Sequence, residues 1–137
     1  MPYGFNEDKS IYDLDTVTPM KQLWAGLWHM VANQTVTPSE KLSEQKNGWI
    51  LVWSGYNNGV ATNTDYAYQV IPKWHGQGAM SGRGVGFSLA SGSRNGFKYL
   101  YVRDSSITGY DPNSQAETVG GVSRVNYYWV LVAVLGF

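Results

Sequence analysis

The sequence predicts an all-β domain, an antiparallel β-sandwich of jelly-roll-like character with about seven or eight strands. Three observations carry that expectation. The chain closes on a run, residues 125–137 (VNYYWVLVAVLGF), that is β-branched and aromatic and has no charge after Arg124. Three Asn-Gly dipeptides, at 47–48, 58–59 and 95–96, each stand beside a strand-like run, and Asn-Gly readily supplies the positive φ angles of a two-residue hairpin turn. Short runs with period-two alternation recur between these turn residues, the rhythm of a sandwich or barrel rather than of βαβ units.

Taken in order, residues 1–19 are polar and aperiodic and read as an arm or attachment segment, with the sandwich domain spanning 20–137. Residues 20–31 satisfy two templates. Met20, Leu23, Trp24, Leu27, Trp28 and Val31 follow helical spacing behind Thr18-Pro19, whereas a strand would alternate Trp24, Gly26 and Trp28 with Leu23, Ala25 and Leu27. Gly26 and the strand-rich remainder favour the strand. Strands are then expected over 34–42, 49–56, 60–72, 85–90 and 97–103, with a short one over 106–110. In 85–90 a large face (Val85, Phe87, Leu89) alternates with a small one (Gly86, Ser88, Ala90), and Phe97, Tyr99 and Tyr101 alternate with Lys98, Leu100 and Val102. Residues 111–121 read as a loop leading to the last strand. Residues 75–84 (HGQGAMSGRG) are too rich in glycine to pack as a regular element and read as a binding or mobile loop.

Composition narrows the function. At 137 residues the chain is one domain. Its ten basic and ten acidic residues balance, so the basic face of a nucleic-acid binder is missing. The last strand is too short for a membrane span, which needs about 20 apolar residues, so no membrane insertion is expected. Cysteine is absent, which removes disulfides and thiolate metal sites. The first ten residues lack the pattern of a signal peptide, and synthesis and folding in a cytoplasm are expected.

Catalytic and metal motifs fail on inspection. Residues 86–90 (GFSLA) lack the final glycine of a nucleophile elbow and lie in a strand rather than at a strand-to-helix turn. The run Gly82-x-Gly84-x-Gly86 has neither the helix nor the Lys-Ser/Thr of a phosphate loop. Asp111-Pro112-Asn113 opens like a calcium loop, but Ala116 and Val122 stand where Gly and Glu are required, so a turn is the better reading. With only His29 and His75 no transition-metal set can be placed, and His29, among aromatics, reads as half-buried and structural. No catalytic residue, metal or cofactor is expected.

Recognition chemistry remains. Six Trp and ten Tyr exceed what one small core uses. The surplus suits an oligomer interface, or platforms for sugar rings, which combine an apolar C–H face with a rim of hydroxyls. Trp74, His75, Gln77 and Arg83 have the composition of such a platform, as do Tyr110, Asp111 and Asn113. The last strand is apolar on both faces, as is 49–56, and one sandwich core uses only one face of each. The other should lie in an oligomer interface through Val132 and Val134, or else through Leu131 and Ala133, depending on register.

Residues 42–54 (LSEQKNGWILVWS), Pro72-Lys73-Trp74-His75, residues 98–109 (KYLYVRDSSITG) and residues 126–137 resemble the C-terminal domains of tail-fibre and baseplate proteins from phages and prophages of Gram-positive bacteria. The likeness runs through separated blocks from residue 23 to residue 137 and leaves out the N-terminal arm. It implies a β-rich, non-enzymatic host-recognition module that is commonly a homotrimer, binds a bacterial cell-wall glycan and sits among other phage tail proteins. It further implies a place in the virion tail after synthesis in the host cytoplasm. It supplies no individual site residue. The alternative expectation is a purely structural tail-assembly protein whose aromatics meet only protein neighbours. A glycan-cleaving enzyme would need two carboxylates about 5–10 Å apart, which a chain this poor in acids hardly offers.

Overall fold

The computed structural model describes residues 20–137, in which ten strands and five short 3₁₀ turns follow one another without an α-helix. The expected arm, residues 1–19, lies outside the described residues. One four-stranded sheet has the order β1 (Lys21–Trp28), β10 (Trp129–Gly136), β3 (Gly48–Asn57), β4 (Val60–Pro72). The second has the order β2 (Thr35–Val36), β7 (Ile107–Thr108), β6 (Arg94–Val102), β5 (Arg83–Ser91). A separate hairpin joins β8 (Ala116–Val119) to β9 (Val122–Val125). Every pairing is antiparallel. The local hairpins β3–β4 and β5–β6 are enclosed by the long-range pairs β1–β10 and β2–β7, so the chain's ends close the β-sandwich that its middle begins.

Residues 21–28 are a strand, as Gly26 and the neighbouring pattern favoured. Their helix-like spacing has a structural cause. Pairing of β1 with β10 shifts register twice, between Gln22 and Trp24 and between Ala25 and Trp28. Each irregularity breaks the period of two, so apolar residues return to the core at uneven intervals. A Cβ at Gly26 would stand 2.5 Å from the Trp24 indole, which folds back over that residue.

The three Asn-Gly dipeptides part company. Asn58-Gly59 makes the expected β3–β4 turn, with φ of 52° and 84°, the pair of positive angles of a type I′ hairpin. Asn47-Gly48 instead opens β3, and a Cβ on Gly48 would strike the Ile71 carbonyl oxygen. Asn95-Gly96 falls inside β6; the β5–β6 reversal is made by Gly92 and Ser93, between paired Ser91 and Arg94. Gly96 is needed there for contact, since the Trp129 ring lies 2.5 Å from where its Cβ would be.

Three expected segments are corrected. Residues 75–84 hold parts of the 3₁₀ turns Lys73–Gly76 and Gly78–Met80 and the first two residues of β5. The strand over 34–42 is reduced to β2. Pro38 cannot donate to a ladder, and the chain beyond bonds elsewhere, with Ser39 N–H donating to Leu23 O at 2.9 Å and Leu42 N–H to Asp104 O at 2.8 Å. The loop over 111–121 contains a 3₁₀ turn, Asp111–Ser114, and then β8. The last strand correspondingly begins at Trp129, because Val122–Val125 pairs back with β8 and a 3₁₀ turn, Asn126–Tyr128, intervenes.

Between the sheets, Trp49, Leu51, Trp53, Trp129, Leu131 and Val134 meet Phe87, Leu89, Leu100 and Val102. Full burial of such a side chain contributes about 1.5–3 kcal/mol. A bulge in β10 between Leu131 and Ala133 sets the faces. It turns both Leu131 and Val134 inward, completely buried, and leaves Val132 and Ala133 half-buried. Neither pair expected at an oligomer interface therefore survives intact, since Leu131 and Val134 belong to the core.

Candidate functional site

The site is a groove on the outer surface of the second sheet, and it exists because β6 turns its aromatic row outward while seating Lys98 inside with Leu100 and Val102. Gly96, Lys98, Leu100 and Val102 point into the sandwich, while Phe97, Tyr99 and Tyr101 alternate with them on the outside. The neighbouring strand supplies the room. In the β5–β6 register Gly84 pairs with Tyr101 and Gly86 with Tyr99. A Cβ on Gly84 would run into the Tyr99 hydroxyl, and one on Gly86 would lie 3.0 Å from the Phe97 ring and 3.2 Å from the Tyr99 ring. The rings thus lie down across a glycine strand instead of standing away from the sheet. The small face of 84–90 is the bed of an aromatic platform.

Tyr110 adds the second wall. Its ring meets Tyr99 edge-on at 5.4 Å and 64°, and Tyr99 meets Tyr101 at 5.4 Å and 90°. The β8–β9 hairpin closes the groove from the other side with Glu117 and Arg124, which are directly paired across its two strands. Pro112, Asn113 and Asn126 complete the lining of a space of about 480 Å³, a volume suited to one or two small rings.

Two asparagines hold this together. Asn113 accepts from Tyr99 N–H at 2.9 Å and donates to Tyr99 O at 2.9 Å and to Met30 O at 2.7 Å. Asn126 accepts from Phe97 N–H at 2.6 Å and donates to Pro112 O at 3.0 Å and to Glu117 at 2.7 Å. Both are buried, and both treat the outer edge of the β6 backbone as a ladder partner.

Beneath the platform, Lys98 is wholly buried. Its Nζ donates to the carbonyl oxygens of Trp129 at 2.6 Å, Asn113 at 2.7 Å and His29 at 3.2 Å, and lies 5.2 Å from the Trp53 ring centroid. Burial pushes its pKa well below the ordinary lysine value. The ammonium is satisfied by peptide dipoles and a ring face instead of by a carboxylate. It ties the end of β1, the 3₁₀ turn carrying Asn113 and the start of β10 to the floor of the groove. His29 is half-buried, as expected from sequence. Its Nε2 bonds Tyr127 O at 2.9 Å, and desolvation lowers its pKa despite that bond.

Of the residues singled out from sequence, the groove brings together Tyr110 and Asn113. Asn113 is a correction: it is 1 % exposed and builds the wall rather than meeting a ligand. Asp111 follows Tyr110 but does not line the groove; it accepts from Ala32 N–H at 3.0 Å and so ties its 3₁₀ turn to the chain after β1. Trp74 is 64 % exposed on the 3₁₀ turn Lys73–Gly76, so it is not a core residue, but it does not line the groove. His75 is half-buried with Nε2 turned inward. Gln77 is exposed, and Arg83 donates from Nε to Ala79 O at 3.1 Å at the start of β5. Sequence reasoning missed Phe97, Tyr99, Tyr101, Glu117 and Arg124. The signal available was the aromatic alternation of 97–101 beside the small face of 84–90.

No protein-family model matches this sequence, and no curated protein aligns with it. Among the described residues, no three His, Asp or Glu side chains gather as metal ligands, and no helix is long and apolar enough to cross a membrane.

Proposed function

We propose that this protein is a non-enzymatic host-recognition module of a phage or prophage tail, which binds a bacterial cell-wall saccharide in the Tyr99–Tyr110 groove. The observation that carries the reading is the outward aromatic row of β6, laid flat over Gly84 and Gly86. The three rings are half-buried on the outer face of the sheet rather than packed in the core, and the groove they line leaves their remaining surface open for a ligand to stack on. A pyranose offers an apolar C–H face to a tyrosine ring and hydroxyls to Glu117, Arg124 and the tyrosine hydroxyls. Resemblance of the sequence blocks to tail-fibre and baseplate domains supplies the biological setting: a virion tail, other tail proteins as neighbours, and synthesis in the host cytoplasm.

The module works as a homo-oligomer, and the tail-fibre likeness favours a trimer. The first sheet supports self-association. Its outer face presents Leu135, Ile50 and Val70 in one cross-strand row and Ala133, Val52 and Tyr68 in the next. Neither row contains a charge, so two copies of this face meet without like-charge repulsion, and Tyr68 is 65 % exposed. Trp74, Gln77 and Arg83 remain accessible for a second contact with the glycan or with a tail neighbour.

Sedimentation of the protein with purified Gram-positive cell walls tests the saccharide reading. Tyr99→Ala should abolish co-sedimentation while the melting temperature changes little, because the ring is outside the core. Equal co-sedimentation of wild type and variant would overturn the groove as the site. The second reading, a purely structural tail component, predicts no wall binding by either.

A further inference from the structure

The groove's polar groups say which saccharide it takes. Glu117 and Arg124 are the two charged side chains lining it, and they sit at directly paired positions of the β8–β9 hairpin. They do not form an ion pair: the ion pair among the described residues is Lys21–Glu40. Glu117 is held instead at one oxygen, Oε2, by the Asn126 amide at 2.7 Å, and the Arg124 guanidinium lies over the Phe97 ring, 5.0 Å from its centroid. Each charge is fixed by a neutral neighbour and keeps hydrogen-bonding capacity for a ligand. Glu117 can accept hydroxyl protons at its second oxygen, and Arg124 can donate to hydroxyl oxygens.

Resting on the saccharide reading, we infer that the groove is specific for a neutral, diol-bearing pyranose, with Glu117 and Arg124 gripping neighbouring hydroxyls while one ring face stacks on Tyr99. A pair of adjacent hydroxyls donates and accepts at once, and so satisfies a carboxylate and a guanidinium together. A ligand carrying a carboxylate or phosphate gains from Arg124 but meets Glu117, whose charge lies on the facing strand; an amino sugar with a free ammonium meets the reverse. Charge opposition at short range disfavours either kind, while the neutral diol incurs neither penalty. The stacking surface supports one face of a ring, and Tyr101 and Tyr110, each 5.4 Å from Tyr99 and steeply inclined to it, line the same groove, which favours a flat sugar over an open-chain polyol.

The test uses polysaccharide released from Gram-positive cell walls and separated by anion exchange into neutral and acidic fractions, each titrated calorimetrically into the wild type, Glu117→Gln and Arg124→Gln. Both side chains are half-buried on a surface hairpin, and thermal melts verify that the variants fold. The inference expects binding to the neutral fraction, weakened at least about tenfold by each substitution, since a hydrogen bond to a charged group is lost in each. Binding confined to the acidic fraction, or tightened by Glu117→Gln, would overturn the neutral-sugar inference and leave the saccharide reading standing. Binding to the neutral fraction that ignores both substitutions would overturn the assigned grip. Binding to neither fraction would overturn both readings at once.

Discussion

Lys98 links the site to the fold, since its ammonium ties three separate chain segments beneath the groove. A lysine in a core without a carboxylate is unusual, and here the ammonium is met by the carbonyls of His29, Asn113 and Trp129 and by the face of Trp53. Its pKa in the folded chain is depressed below the ordinary value near 10.5 by burial. Between those two values the unfolded chain holds a proton that the folded chain has released, so stability rises with pH across that window. Tyr128 acts in the opposite sense at higher pH. The hydrogen bond it donates to Asp65 raises its pKa, so its contribution is complete below the ordinary tyrosine value near 10 and is lost as pH climbs beyond it. Urea unfolding should therefore show wild-type stability increasing with pH on the approach to the ordinary lysine value. The increase should vanish in Lys98→Met, which has nothing to titrate there; parallel profiles for the two proteins would contradict the buried-lysine account.

At the level of elements, the alternation in β6 was legible in the sequence but its direction was not. Phe97, Tyr99 and Tyr101 against Lys98, Leu100 and Val102 is a clean period of two, but rings on one face and Leu100 and Val102 beside Lys98 on the other leave its direction open. What decides it lies far away in the chain: the carbonyls that receive Lys98, the Trp129 indole that occupies the place of a Gly96 side chain, and Asn113 and Asn126 bonding the β6 backbone. No local pattern encodes those partners. The β3–β4 hairpin was readable in its turn and its two strands, because Asn58-Gly59 and the flanking runs determine them locally, but its register shift between Ser54 and Tyr56 was not, and β1 was readable as a strand only through its neighbours. The β8–β9 hairpin escaped, since four-residue strands turning through Gly120-Gly121 look like loop. Likewise the β10 bulge, which mixes the two expected interface pairs, arises from pairing with β3 and leaves no mark in the run itself. The glycine bed under Tyr99 yields the prediction at this scale. Gly84→Val should lift the Tyr99 ring from the sheet and weaken wall binding at least about tenfold, while costing the fold no more than about 1–3 kcal/mol at this exposed position. Unchanged binding would show that the ring's posture is immaterial.

For the whole molecule, the two sheets of the sandwich turn different surfaces outward. The second carries the aromatic groove with its paired opposite charges; the first carries an uncharged apolar face across β10, β3 and β4. That division suits a module that assembles through one side and recognises through the other. Tyr68→Asp places a charge in the middle of the first face without touching the core. It should convert the proposed oligomer to a species of about 15.2 kDa in light scattering, with the melting curve of the protomer retained. A wild type that is already of that mass at micromolar concentration would remove the oligomer from the account. The central claim is that the groove between Tyr99, Tyr110 and the β8–β9 hairpin is where a saccharide binds. Its most direct test is a backbone amide chemical-shift titration of the protein with solubilised cell-wall polysaccharide fragments. The account predicts perturbations concentrated at residues 97–101, 110–113, 117 and 124, with the outer face of the first sheet silent; perturbations confined to other surfaces, or none at saturating fragment, would contradict it.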